Sequence, residues 1–212
     1  MGETEVQKLW KQHWKSKTTI EETGSFYGRL LHQRRLVILK DILSKFDARS
    51  KVLDIGCGGG STITTFKEVG FDNIIGIDFA EESLERCEKL GLAINKNVFL
   101  MDAAHTRFLD KQFDIVFSEG LWEHFTDPRP HIAEAARLAK TYLIVIQPDH
   151  FSFFGFLMHL GWSLFSKDKG GVREYSFPLS YFTNFLKNYN FKLIESKSTL
   201  FHEQTVMVFK RQ

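Results

Sequence analysis

The feature that most constrains this chain is the stretch between positions 52 and 60, which reads Val-Leu-Asp-Ile-Gly-Cys-Gly-Gly-Gly. It predicts a buried strand that leads through Asp54 into a glycine-rich loop, with a helix after the loop. Strand, loop and helix in this order bind a ligand at the carboxyl end of a parallel strand in open α/β sheets. The residues Gly56, Gly58 and Gly60 allow a tight turn and a close approach of backbone to ligand.

The chemistry of this loop argues against a phosphate ligand. A dinucleotide fingerprint needs a third glycine at position 61, where this chain has Ser61. No lysine follows the glycines, so the loop is not a P-loop either. The Asp54 carboxylate would repel a pyrophosphate, whereas it suits a ligand that carries an ammonium group. The alternative is a glycine-rich turn in an unrelated α/β domain.

Length and composition limit the class of protein. A chain of 212 residues that is 43% hydrophobic is expected to form one domain with a full-sized core. A net charge of +2 gives no basic field of the kind that binds nucleic acid. The two cysteines offer no disulfide framework. We recognise no signal peptide at the start of the sequence, and no apolar run is long enough to span a membrane. We therefore expect a cytoplasmic protein.

Apolar strands alternate with helical segments through the first 146 residues, which predicts a parallel, doubly wound sheet of the Rossmann-like α/β class. Two further strands close the chain and are expected to place an antiparallel strand at the sheet edge. The predicted helices are Glu5 to Lys15, Tyr27 to Phe46, Ser61 to Val69, Glu81 to Leu90, Pro130 to Ala139 and Pro178 to Lys187. The predicted strands are Lys51 to Gly56, Asn73 to Asp78, Asn97 to Met101, Phe113 to Phe117, Thr141 to Ile146, Phe191 to Ser198 and Phe201 to Lys210.

Two further strands also end in acids. Asp78 ends the second strand, where a carboxylate can accept hydrogen bonds from both hydroxyls of a ribose. Phe79, the next residue, can pack on an adenine face. Asp102 closes the third strand and can accept from an adenine amino group, while the adjacent backbone at Ala103 can donate to a ring nitrogen. The alternatives are helix or loop caps for the two acids and simple core packing for the phenylalanine.

The segment after the fourth strand reads Ser-Glu-Gly-Leu-Trp-Glu-His-Phe-Thr-Asp-Pro from position 118 to 128. Backbone carbonyls near Ser118 and Glu119 are well placed for an ammonium group. His124 is the leading candidate for a general base, because a neutral imidazole can take a proton from an attacking hydroxyl. Glu123 is the second predicted catalytic residue. The alternative is a histidine that packs and hydrogen-bonds within the loop.

The glycine loop closely resembles motif I of the class I S-adenosylmethionine-dependent methyltransferases, in the wording Leu-Asp-Ile-Gly-Cys-Gly-x-Gly. The Glu-His-Phe-x-Asp-Pro element resembles the pattern of small-molecule enzymes of this class. The resemblance implies a seven-stranded sheet of order 3-2-1-4-5-7-6, the cofactor S-adenosylmethionine and the product S-adenosylhomocysteine. It also implies a ribose role for Asp78, an adenine role for Asp102, and a cofactor-binding loop that includes Cys57.

A divalent metal site at the same turn is an alternative that we do not predict. Ubiquinone-pathway O-methyltransferases have a Glu-x-x-Glu-His element at this position, whereas this chain has one residue more between Glu119 and Glu123. Carboxylates and histidine suit a divalent ion. Whether the reaction uses a general base or a metal therefore stays open.

Residues 1–48 are predicted to form an N-terminal helical lid over the core of residues 49–148. In this lid, Tyr27 is expected to cover the methionine end of the cofactor, and Arg35 to clamp its carboxylate bidentately. The alternative is a solvated arginine on a helix face. Residues 149–176 are predicted to form an apolar insertion on the substrate side, and residues 177–212 to supply the final helix and the strand pair.

The insertion is rich in phenylalanine between positions 151 and 165, and three interpretations remain open: a lid on an apolar pocket, a peripheral membrane contact, or a dimer face. We predict transfer of a methyl group to a small apolar or aromatic molecule by a monomer or homodimer that binds no nucleic acid. The alternatives are methylation of a lipid or quinone precursor at a membrane surface, and a non-catalytic subunit that binds S-adenosylmethionine.

Overall fold

A computed structural model describes residues 5–16, 26–148, 174–199 and 204–212. Its helices are α1 (Glu5–Ser16), α2 (Phe26–Leu43), α3 (Ser61–Glu68), α4 (Glu81–Lys89), α5 (Arg129–Leu138) and α6 (Leu179–Lys187). Its strands are β1 (Val52–Ile55), β2 (Ile74–Asp78), β3 (Val98–Leu100), β4 (Phe113–Glu119), β5 (Ala139–Pro148), β6 (Phe191–Ser198) and β7 (Gln204–Arg211). A 3-10 turn, Trp122–His124, follows β4.

The seven strands form one sheet in the order β3-β2-β1-β4-β5-β7-β6. The pairs among β1 to β5 are parallel, and β7 is antiparallel to both of its neighbours. The predicted fold class and strand order are therefore confirmed. Because β1 and β4 are neighbours, Asp54 in β1 lies beside Phe117 in β4, and the carboxyl ends of β1, β2 and β4 meet at one edge.

Apolar side chains cover both faces of the sheet, as expected for parallel strands that are buried between helices. One core contains Leu39 of α2, Phe66 of α3 and Leu84 of α4. The other contains Ile132 of α5 and Phe182 of α6. These two layers hold the strands rigidly and leave the loops at their carboxyl ends to carry a site.

The helix after the glycine loop begins with Ser61, and serine is a residue type that commonly caps helices. Ser61 is the first helical residue, and the N-cap position belongs to Gly60, which makes no side-chain capping bond. Gly60 has a φ of +84°, in the left-handed region that glycine adopts without a steric penalty. The loop turns into the helix one residue earlier than a serine cap would require.

The C-terminal strand pair is confirmed as antiparallel, with β6 at the sheet edge. Its second strand begins at Gln204, whereas the prediction began at Phe201, which lies outside the described residues. The phenylalanine-rich segment 151–165 also lies outside them, so its proposed roles stay predictions, as does the division of the chain into lid, core and insertion. In the part of the chain that the structure covers, no helix is both long and apolar enough to cross a membrane.

Candidate functional site

The glycine loop forms a tight backbone cradle at the end of β1. Gly56, Gly58 and Gly60 all have positive φ angles, of +76°, +50° and +84°. A Cβ atom built at Gly60 would lie 2.6 Å from Leu92 Cδ1, so the loop also packs too closely for a side chain there. The Cys57 thiol is buried in the core, which leaves only the backbone of this residue available to a ligand.

Asp54 lies directly below this loop, as predicted, and is 2% exposed. Its Oδ2 atom has no hydrogen-bond partner among the described residues. Burial raises the pKa of Asp54 well above its usual range, and the nearby carboxyl groups of Glu119 and Asp78 raise it further. An unpartnered carboxyl group that is buried among other acids is a ready site for a cation, because a positive charge would favour its ionised form.

Asp78 faces the same loop from the end of β2. Its Oδ2 accepts a hydrogen bond from the Gly58 N–H at 2.9 Å, and its Oδ1 accepts one from the Ala80 N–H at 2.9 Å. Burial raises the pKa of Asp78, and these backbone donors oppose the rise. A carboxylate has about four acceptor positions; these two bonds fill one on each oxygen, and the Ser83 hydroxyl and the Phe79 N–H also lower the pKa of the group.

Glu119 completes the acidic edge from the end of β4. It forms an ion pair with Arg35 of α2 and accepts a hydrogen bond from Thr62 Oγ1 at 3.3 Å. Arg35 thus lies at this edge, where its guanidinium contacts the Glu119 carboxylate. Its clamping of a cofactor carboxylate stays a prediction. Tyr27 belongs to α2, but its side chain lies outside the described part of the structure.

The predicted adenine-binding residues lie at the neighbouring strand ends. Phe79 is half-buried and follows Asp78 directly. Asp102 is exposed, and its Oδ1 accepts a hydrogen bond from the Ala104 N–H at 2.8 Å. Ala103 packs against the core on the α5 side of the sheet. The capping role of Asp102 is therefore present, and its contact with an adenine ring stays a prediction.

The turn after β4 buries the two predicted catalytic residues. Glu123 is 4% exposed and His124 is 8% exposed, while Ser118 in β4 is fully buried. Burial raises the pKa of Glu123 to about 8, and the carboxylates of Glu174 and Glu119 contribute to the rise. Glu123 is thus a neutral carboxyl group at neutral pH, able to donate a proton or a hydrogen bond.

Two tryptophans of α1 that were not predicted as site residues cover this edge. Ring atoms of Trp14 lie 2.9 to 3.0 Å from a Cβ built at Gly58, so the indole rests on the glycine loop. The Trp10 ring meets the His124 ring edge-on, with centroids 4.7 Å apart. The only sequence signal for them is their spacing of four positions on an amphipathic helix, which does not reveal what they contact.

Interactions with α4 fix α1 in this position. Arg86 Nη2 donates to the Trp14 carbonyl oxygen at 2.8 Å, and its guanidinium lies 5.2 Å from the centre of the Trp14 ring. Lys15 forms a 3.2 Å ion pair with Glu82. The helix therefore bridges the glycine loop and the catalytic turn.

Within the described ranges, no group of three histidine, cysteine, aspartate or glutamate residues is arranged to hold a metal ion. Glu119 is engaged instead with Arg35 and Thr62.

Comparisons with known proteins match this architecture. Residues 53–144 match the family model described as "Methyltransferase domain". The chain is 31% identical to the ubiquinone biosynthesis O-methyltransferase of Hydrogenovibrio crunogenus over an alignment of 130 residues. That alignment covers 59% of this chain and 52% of that protein. It is 33% identical over 99 residues to the 2-methyl-6-phytyl-1,4-hydroquinone methyltransferase of Synechocystis, covering 46% of this chain and 29% of that protein. The chain thus spans about half the length, or less, of these relatives.

Solved structures share the fold over nearly the whole chain. Magnesium protoporphyrin IX methyltransferase of Synechocystis, crystallised with S-adenosylhomocysteine, superposes with a TM-score of 0.71 at 19% identity, covering 97% of this chain and 94% of that one. The PH0226 protein of Pyrococcus horikoshii gives a TM-score of 0.72 at 20% identity, covering 95% and 99%. At this level of identity the likeness concerns the fold.

Proposed function

We propose that residues 53–144, which match the model of a methyltransferase domain, bind S-adenosylmethionine, and that this protein transfers the methyl group of S-adenosylmethionine to a small aromatic molecule. One observation carries the proposal. Asp54, Asp78 and Glu119 converge on the glycine loop, and Asp54 keeps a buried oxygen with no partner in the described chain. Such an acidic edge suits a ligand that is both cationic and rich in hydroxyls.

The residues at this edge fit the parts of S-adenosylmethionine. Asp54 Oδ2 is the natural acceptor for the ammonium group, and Asp78 would accept from the two ribose hydroxyls. Phe79 and Asp102 would flank the adenine, and Arg35 would exchange part of its contact with Glu119 for the cofactor carboxylate. The sulfonium would then lie near Ser118 and Glu119, at the end of β4.

Methyl transfer needs alignment more than it needs strong acid or base. An electron pair on the acceptor atom forms a bond to the methyl carbon while the carbon–sulfur bond breaks, which leaves neutral S-adenosylhomocysteine. When the acceptor is a hydroxyl, its proton passes to His124, which is 8% exposed and held against Trp10. Trp10 and Trp14 would keep water from the reacting atoms.

The relatives favour one class of acceptor. One is named as an O-methyltransferase of ubiquinone biosynthesis, and the other as a methyltransferase of a phytyl-hydroquinone. We therefore propose a phenol or hydroquinone as the acceptor class. Methylation of a quinone precursor at a membrane surface is the second candidate, favoured by the same relatives.

Titration calorimetry with S-adenosylhomocysteine tests the cofactor assignment. We expect binding by the wild type and an affinity lower by about tenfold to a hundredfold in Asp78→Ala, because a charge-assisted hydrogen bond is worth about 1.5 to 3 kcal/mol. Asp72→Ala is the matched control, since Asp72 is exposed. Equal affinity of wild type and Asp78→Ala would contradict the ribose assignment.

Turnover separates an enzyme from a non-catalytic binding subunit. Release of S-adenosylhomocysteine is measured against a panel of phenols and hydroquinones, with and without a chelator. We expect turnover of at least one hydroxylated ring, and a lower rate in His124→Ala with cofactor affinity retained. Binding without turnover on any hydroxylated ring would refute the proposed enzyme. Loss of turnover on chelation would replace His124 by a metal as the group that activates the acceptor.

A further inference from the structure

A second group of polar atoms is buried close to the cofactor edge. Ser118 Oγ and Trp122 Nε1 have no hydrogen-bond partner among the residues that the structure describes, and Glu123 Oε2 and Gln147 Nε2 have none beyond the contact between their own two side chains. Their residues are 0%, 0%, 4% and 3% exposed, respectively. Buried polar groups in native proteins are nearly always hydrogen-bonded. The hydrogen-bonding capacity that these four atoms leave unused therefore indicates a ligand.

The register of the sheet brings these residues together. Ser118 of β4 lies opposite Val145 of β5, and Gln147 follows Val145 by two positions on the same face of the strand. That face of the sheet packs into the core that contains Trp122 and Phe182. Asp54 lies on the opposite face, because it follows Val52, a residue of the other core, by two positions. The group is thus separate from the carboxyl groups assigned to the cofactor.

The carboxyl group of Glu123 lies beside Gln147. Glu123 Oε1 would be 3.7 Å from a Cβ built at Gly120, and the Gly120 N–H donates to the Ile146 carbonyl oxygen, next to Gln147, at 3.3 Å. A side-chain hydrogen bond with Gln147 lowers the pKa of Glu123 against the rise caused by burial. The two side chains therefore form one polar pair at the end of β5.

Hydrogen-bond donors predominate in this pair. Gln147 supplies an amide N–H, and Glu123 supplies a carboxyl O–H at neutral pH, because burial raises its pKa to about 8. The Trp122 indole N–H is a third donor in the same core. Carboxylates at Glu119 and Glu174 act on Glu123 from the end of β4 and from the segment before α6, and they disfavour an anionic ligand. A neutral oxygen acceptor satisfies these donors.

We propose that Glu123 and Gln147 bind a neutral carbonyl or phenolic oxygen of the methyl acceptor. This inference rests on the proposed methyl transfer, and it adds Gln147 as a specificity-determining residue that was not predicted from the sequence. Glu123 then acts as a hydrogen-bond donor to the acceptor, while proton removal is left to His124. A ring with two oxygens can present one to this pair and the other to the methyl group.

Matched probe molecules test the site in protein saturated with S-adenosylhomocysteine. Acetophenone carries a carbonyl oxygen that does not titrate, ethylbenzene lacks that oxygen, and benzylamine carries an ammonium group. Affinities are measured by ligand-observed NMR. Near neutral pH we expect acetophenone to bind about fivefold to tenfold more tightly than ethylbenzene, as one or two hydrogen bonds provide. Equal affinities, or tighter binding of benzylamine than of acetophenone, would overturn the proposal.

Variants of Gln147 and of Glu123 test whether these two side chains cause the preference for acetophenone, with Gln33→Leu as the control. Gln147→Leu should abolish most of the preference for acetophenone, while Gln33→Leu, at an exposed position of α2, should retain it. The wild-type preference should fall severalfold as the pH rises through about 8, where Glu123 loses its proton. Glu123→Gln retains a donor that does not titrate, so its preference should be independent of pH. A purely structural role of Glu123 would give no such difference in pH dependence, and that result would contradict the proposal.

Failure of this site is distinguishable from failure of the proposed function. S-adenosylhomocysteine binding is measured first in every variant, by calorimetry. If the wild type does not bind S-adenosylhomocysteine, the methyltransferase proposal fails. If cofactor binding is intact and acetophenone is not preferred, only the acceptor site is refuted.

Discussion

Among single residues, Asp54 gives the strongest indication of the charge of the ligand. A buried carboxyl group with an unpartnered oxygen, close to Asp78 and Glu119, is unfavourable in the free protein. A bound ammonium group would remove this penalty. Asp54 therefore lowers the stability of the ligand-free protein, and we expect the same residue to select a cationic ligand.

Asp54→Asn separates these two effects. The amide keeps the shape of the carboxyl group but cannot pair with an ammonium, so we expect affinity for S-adenosylhomocysteine to fall about tenfold or more. We also expect the ligand-free variant to be at least as stable as the wild type at pH 8, because the amide does not ionise. Calorimetry and thermal unfolding measure the two quantities, with Asp72→Asn as control. Unchanged affinity would contradict the assignment of the ammonium to Asp54.

Glu123 predicts how the stability of the ligand-free protein depends on pH. Its pKa of about 8 in the folded protein lies above the usual value of 4.5, so folding favours the protonated form. That contribution is fully present below about pH 4.5 and is lost as the pH rises to about 8, by at most about 1.4 kcal/mol per pH unit. Denaturant unfolding across this range should show the decline in the wild type and a smaller one in Glu123→Gln. Identical slopes would contradict the raised pKa.

Residues near the glycine loop could be predicted from the sequence because local chemistry dictates them. The positive φ angles at Gly56, Gly58 and Gly60 and the burial of Asp54 follow from the strand–loop–helix pattern alone. Gln147 could not be assigned a role in this way. Its significance depends on the Glu123 carboxyl group beside it, and nothing in the local sequence places these two side chains together.

Helix α1 is the element whose position matters most for access to the site. It lies with Trp14 on the glycine loop and Trp10 against His124, and α4 holds it through Arg86 and Lys15–Glu82. The sequence predicted a helical lid but not these contacts, because helical periodicity identifies an apolar face and not its partner. We propose that α1 is the lid that cofactor entry must displace.

Trp14→Ala tests this role for α1. Removal of the indole takes away the cover of Gly58, so we expect S-adenosylhomocysteine to dissociate about fivefold faster, in keeping with about 1 kcal/mol for an aromatic contact. Stopped-flow measurements give the rate. Gln12→Ala, an exposed change on the same helix, should leave it unchanged. An unaltered rate in Trp14→Ala would show that α1 does not retain the cofactor.

At the scale of the whole molecule, the alternating strands and helices predicted the α/β class, and the resemblance supplied the strand order 3-2-1-4-5-7-6 that the structure confirms. Buried strands are recognisable because both faces are apolar. Their ends were less predictable, as β5 runs from Ala139 to Pro148, beyond the predicted Thr141 to Ile146. Hydrogen bonding to β4 and β7 extends this strand, and such pairing is not encoded in a local window.

The two proposed sites lie at neighbouring strand ends of the same sheet. The acids at the ends of β1, β2 and β4 would hold the cofactor, and the pair at the ends of β4 and β5 would hold the acceptor. Because β4 lies between β1 and β5 in the sheet, its carboxyl end is where the methyl group would pass from one ligand to the other.

The structure of the protein with bound S-adenosylhomocysteine tests the central claim most directly. We predict that the ammonium group lies within hydrogen-bonding distance of Asp54 Oδ2 and that both ribose hydroxyls contact Asp78. The thioether sulfur should then face Ser118 and Glu119 at the end of β4. A nucleoside bound elsewhere, or one bound at the loop with Asp54 still unpartnered, would contradict the assignment of this acidic edge as the cofactor site.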